Sequence, residues 1–95
     1  MDSSKAAFER FCKWKKLMTV LNVTVDTHSA IPDTFRKQQI FFVDAEEQVV
    51  AFVDLSTHDN FRLDFANADF VVRERNVEAT RPGEGRVVIV EDLVF

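Results

Sequence analysis

Ninety-five residues, 46% of them apolar and 29% charged, make a single globular domain (residues 1–95) that can hold a core without disulfides. The net charge of −4 sets most of the surface against a polyanion, and no apolar run is long enough to span a membrane. The single cysteine, Cys12, excludes an intrachain disulfide and fits a reducing, cytoplasmic setting, and the charged opening does not read as a signal peptide.

Ten Phe and no Tyr give aromatic mass without a polar handle, which suits a core or a greasy contact face. Charge is unevenly spread. Residues 1–20 hold five basic and two acidic side chains, and the remainder is strongly acidic. Nucleic acid is therefore an unlikely partner, with a foothold only on the basic back of the first segment.

Residues 3–21 read as one amphipathic helix, capped by Ser3 or Ser4. Ala7, Phe11, Trp14, Met18 and Leu21 recur at helical spacing, and Phe8, Cys12 and Leu17 widen that stripe. Cys12 is expected to be buried. Residues 21–25 alternate and read as a short edge strand or the end of the helix. Residues 26–37 lack periodicity, with Pro32 placed to open a helical turn through Phe35. This irregular stretch is a candidate functional loop.

A strand meander follows. Residues 39–43 form a strand, 44–47 a polar turn, and 48–55 the expected central strand, whose run Val49-Val50-Ala51-Phe52-Val53 is apolar on both faces. Residues 56–60 form a loop and 61–65 alternate strictly. Residues 70–75 form a strand, 76–85 a polar hairpin loop with both glycines, and 86–95 the last strand, ending on an apolar edge. Short polar turns imply antiparallel pairing. One helix cannot cover both faces of such strands, so either the sheet curls into a small barrel or a second copy covers it.

The motifs for chemistry are sparse. His28 and His58 sit thirty residues apart in polar loops, near Asp26 and Asp33 in one case and Asp54, Asp59 and Asp64 in the other. No metal spacing or nucleophile–base pair emerges. Arg62, Arg73 and Arg75 could form a small anion patch or pair across strands with Asp64 or Glu91. Gly83-Glu84-Gly85 is a turn, since no helix follows it.

The segment His58-Asp59-Asn60-Phe61-Arg62-Leu63, with Ala66, resembles the latter part of the first motif of the Sm-like small barrels. Gly85-Arg86-Val87-Val88-Ile89, with Asp92 and Val94, resembles their second. The resemblance spans residues 48–95 and implies a small barrel that assembles into rings. Ser56 stands where that family has its motif aspartate, and Val90-Glu91 where it has Arg-Gly. Those departures remove groups the family uses to hold RNA, so the resemblance extends to assembly rather than to RNA.

The expected fold is α+β: an N-terminal amphipathic helix packed on a curled antiparallel sheet of five to six strands, or a small barrel. The expected function is a non-enzymatic interaction domain that self-associates. Alternatives are a binder of a small apolar molecule in a Phe-lined pocket between helix and sheet, and Sm-like nucleic-acid binding. The expected ligand or partner face comprises Phe8, Phe11, Trp14, Phe35, Phe42, Phe52 and Phe95. No cofactor, metal or membrane partner is expected.

Overall fold

The computed structural model describes residues 3–27 and 31–92. It shows one helix on a seven-stranded antiparallel sheet that does not close into a barrel.

Helix α1 spans Ser3–Leu17 and buries Ala7, Phe8, Phe11 and Trp14 along one stripe. It stops four residues earlier than its periodicity suggests. Met18 turns left-handed at φ 54°, and the Met18 and Thr19 N–H groups donate to Lys15 O at 3.2 Å and Trp14 O at 3.0 Å. These two bonds satisfy carbonyls of the last turn in a Schellman cap. Met18 and Leu17 are consequently exposed.

The strands are β1 Leu21–Asp26, β2 Asp33–Asp44, β3 Val49–Asp54, β4 Asn60–Asp64, β5 Asp69–Val72, β6 Asn76–Arg81 and β7 Gly85–Glu91. Their order in the sheet is β4-β3-β2-β1-β7-β6-β5. Four expectations are corrected. The middle strand is β1, flanked by β2 and β7, whereas β3 lies next to an edge. No helical turn follows Pro32, because β2 begins at Asp33 and pairs with β1. The supposed hairpin loop at 76–85 contains β6, whose Val77 and Ala79 alternate inward between polar neighbours. The last strand is interior, between β1 and β6, and residues 93–95 lie outside the described residues.

A short link sets the shape of the sheet. β4 and β5 are its two edges, yet only residues 65–68 join them. Five residue steps reach at most about 18 Å, whereas the outermost strands of a flat seven-stranded sheet lie about 29 Å apart. The sheet must therefore curl. Two bulges on β2, opposite Leu21/Val23 and at Ile40/Phe42, supply local bending. The helix packs chiefly on β2 and β5 and so lies across the concave side.

Aromatic rings fill the space between. Phe11 stacks on Phe65 at 5.7 Å, Phe8 meets Phe11 edge-on at 5.1 Å, and Phe70 touches Phe8, Phe11 and Phe65. Leu21, Val23, Val50, Phe52, Val77, Val87 and Ile89 complete the core. The Trp14 indole N–H donates to Glu91 Oε2 at 3.0 Å, and the Arg10 guanidinium lies over the Trp14 ring while donating to Arg73 O at 2.8 Å. These bonds pin the helix to one end of the β5–β7 hairpins, beside the β5–β6 turn.

Gly85 sits at φ 90° where a Cβ would strike the Asp26 carbonyl and press on Thr27 Cα at 3.0 Å. Gly83, at φ 74°, has open space around it. Gly85→Ala should thus destabilise the fold by about 2–4 kcal/mol, and Gly83→Ala by only about 1 kcal/mol. Thermal melts of both variants check this: Gly85→Ala should lower Tm by about 8 °C or more at ~4–8 °C per kcal/mol, and equal shifts would refute the close approach.

Candidate functional site

Where β2 runs past the end of β3, the curled sheet leaves a cleft of ≈ 290 Å³ lined by Phe35, Gln38, Asp54, Thr57, Asp59, Asn60 and Phe61. Its aromatic wall is built in series: Phe35 meets Phe61 at 4.7 Å, and Phe61 stacks on the core ring of Phe52 at 5.1 Å. Phe52 is buried, Phe61 half-buried and Phe35 38% exposed, so the wall runs from core to solvent.

The polar wall grows from the β3–β4 turn. Asp54 accepts the Ser56 and Thr57 N–H groups through Oδ1 at 2.7 and 3.0 Å, an Asx turn of the kind that Asp followed by Ser and Thr favours. His58 adopts φ 66° and donates its N–H to Asp54 O at 2.9 Å, and Asp54 N–H donates to Asp59 O at 2.8 Å. The Thr57 hydroxyl accepts the Asp59 N–H at 3.2 Å. The turn is thereby fixed largely by its own backbone.

Gln38 forms the floor. It is 1% exposed and the one buried polar side chain among the described residues. Its Nε2 donates to Arg36 O and to Asp54 Oδ2, both at 2.9 Å. Those two acceptors settle the orientation of the amide, since a flipped side chain would set oxygen against oxygen. The remaining oxygen, Oε1, is buried without a protein partner. A buried acceptor left unpaired costs about 1–3 kcal/mol.

The electrostatics of the cleft are one-sided. The Thr57 and Ser56 N–H groups, against the opposing effect of partial burial and with help from the Gln38 amide, hold the Asp54 carboxyl below its ordinary value of 3.8. The ion pairs of the described residues are Lys37–Asp92 and the bridges of Arg73 and Arg86 to Glu78. None reaches Asp54 or Asp59. Two further polar atoms of the described residues are buried without a partner, Asn76 Oδ1 and Arg81 Nε, and neither residue lines this cleft. The cleft lined by Val20, Lys37, Leu55, Ser56 and Asp92 already contains the 2.8 Å Lys37–Asp92 pair.

The seven side chains expected to share one face are separated. Phe8, Phe11, Trp14 and Phe52 are core residues. Phe35 enters the cleft, and Phe42, 46% exposed, lies on the convex side opposite Ala51. Phe95 lies outside the described residues, as does His28. Cys12, expected buried, is exposed, because it falls beyond the edge of the stripe that meets the sheet. Arg73 pairs with Glu78 at 3.1 Å, and Arg62 lines a shallow convex cleft with Phe42 and Asp64. Among the described residues no cluster of His, Cys, Asp and Glu could hold a metal ion, and no helix is long and apolar enough to cross a membrane. Sequence reasoning placed Asp54 and Asp59 beside His58 but missed Gln38, Asn60 and Phe61. Gln38 carried no signal, since an isolated Gln in a strand is ordinarily solvated.

No known protein family matches the chain, and no curated protein or solved structure is similar to it.

The lowered pKa of Asp54 has a definite sign. Its stabilising contribution is complete above the ordinary value of 3.8 and is lost as pH falls through the lowered folded-state value. Asp54→Asn removes that contribution. Its Tm should lie below that of the parent chain near neutrality, and the gap should narrow as pH falls below 3.8. Parallel Tm–pH curves would show that the carboxylate charge is not what the turn binds.

Proposed function

We propose that the chain is a non-enzymatic domain that binds a small ligand in the Phe35–Phe61 cleft. The observation that carries this reading is Gln38 Oε1, a buried acceptor with a settled orientation and no protein partner, on the floor of a cleft with an aromatic wall. Binding sites combine apolar walls with a few oriented polar groups in this way. Stacked rings fill the space between helix and sheet, which favours the cleft at the end of the curl over the pocket expected there. No nucleophile–base pair lines the cleft, which supports binding rather than catalysis. The exposed free thiol of Cys12 supports a reducing, cytoplasmic compartment. Amide NMR against a diverse fragment set tests the reading. Compounds should perturb Thr57, Asp59 and Asn60 saturably, and Phe35→Ala should weaken them at least about tenfold with little loss of stability, because that ring is partly exposed. A set in which nothing perturbs those amides would overturn it.

A second reading, self-association, has its own support. Phe41 and Phe42 at the β2 bulge are 47% and 46% exposed, and β4, two strands away beyond β3, is a sheet edge. The Sm-like resemblance points the same way. Sedimentation velocity at high micromolar concentration should show an oligomer that Phe42→Glu dissociates, and a monomer at that concentration would end this reading.

A further inference from the structure

We infer that the group taken by the cleft is an organic cation, an ammonium or guanidinium carried on a small molecule; this rests on reading the cleft as a ligand site. The argument is one of complementarity. Gln38 Oε1 can only accept a hydrogen bond, since its amide donors are committed to Arg36 O and Asp54 Oδ2. A ligand group that reaches this oxygen must bring a donor. Asp54 and Asp59 add negative charge, and no cation of the described residues stands within ion-pair distance of either.

The rings reinforce the same choice. Phe35 and Phe61 are tilted by 34° at 4.7 Å and line the cleft with the carboxylates. Aromatic faces attract cations, by about 0.5–1 kcal/mol at exposed sites and more when desolvated. An anion would meet two carboxylates and a carbonyl-type oxygen. A purely apolar ligand would leave Gln38 Oε1 unpaired and would strip water from charged groups at a cost. A bare metal ion is a poor fit as well, because no set of three ligating side chains forms among the described residues and two rings occupy one wall. A guanidinium suits best: it is planar, weakly hydrated, stacks on rings and presents several donors at once.

The test compares methylguanidinium with methylurea, its neutral isostere, by amide NMR on the full chain at constant ionic strength. Methylguanidinium should shift Thr57, Asp59 and Asn60 saturably, at least about tenfold more tightly than methylurea, and more weakly as salt rises. Asp59→Asn, whose side chain supports no bond of the fold described above, should weaken methylguanidinium binding by about tenfold, whereas Asp64→Asn on the convex side should leave it unchanged. Equal binding of methylurea would overturn the cation assignment and leave the ligand site standing. So would perturbation of the cleft by neutral or anionic fragments with none by methylguanidinium. A cleft that responds to nothing, neither these probes nor the fragments, overturns both.

Discussion

The four residues between Asp64 and Asp69 constrain this molecule more than any other segment. They join the two edges of one sheet, and their reach is too short for a flat sheet. The concave side that results needs an occupant about one helix wide. Phe65, itself in the link, supplies the first ring, with its N–H anchored to Gln48 O at 2.8 Å. Phe8, Phe11 and Phe70 close around it. The helix is thus less a lid on a sheet than a plug in a trough, which is why it touches β2 and β5 more than the strands at the floor. Ring pairs of this kind add about 0.5–1.5 kcal/mol each beyond the area they bury.

A trough plugged by one helix of fifteen residues has an end that the helix does not reach. The Schellman cap at Met18 stops the helix early, and the β2 bulge near Lys37, at φ 58°, carries the strand past the end of β3. The core thins out there through Phe52, Phe61 and Phe35, in order of increasing exposure. Polar groups of the β3–β4 turn meet the last ring. The cleft is therefore a consequence of the same curl that makes the core. Gln38 departs from what packing alone favours, because an apolar side chain there would spare the cost of an unpaired buried acceptor. Departures of that sort concentrate at functional sites.

Helical spacing in residues 7–14 and alternation in 61–65 identified the helix face and β4, because both patterns carry large apolar side chains at a fixed period. Antiparallel pairing followed from the short polar turns, and the curl from strands apolar on both faces. Three elements were obscured for separable reasons. β6 alternates, but with Val77 and Ala79 as its only inward groups, among Asn, Glu and Thr, its pattern resembles a polar loop. The first half of β2 is exposed from Asp33 to Lys37, so no burial pattern marks it, and Pro32 suggested a turn instead. β1 is short and its central place rests on partners distant in sequence, β2 on one side and β7 on the other. The candidate site was the least legible part. Its polar members come from a strand and a turn sixteen or more residues apart, and only the register pairing Gln38 with Asp54 brings them together.

The aromatic composition then governs what recognition can be. With Phe in place of Tyr throughout, the ring wall offers a π-face and apolar area but no hydroxyl. Every directional contact must come from Gln38, Asp54, Thr57, Asp59 or Asn60. Asp54 has committed Oδ1 to two backbone N–H groups and Oδ2 to Gln38, so its role is to hold the turn and to supply charge. The acceptors at the cleft are Gln38 Oε1 and the Asp59 carboxylate, beside the Thr57 hydroxyl and the Asn60 amide. Under the proposed reading, acceptors beside an apolar ring pair favour a group that is at once a multiple donor, positively charged and tolerant of an aromatic surface. Among common biological groups, that combination belongs to alkylammonium and guanidinium cations.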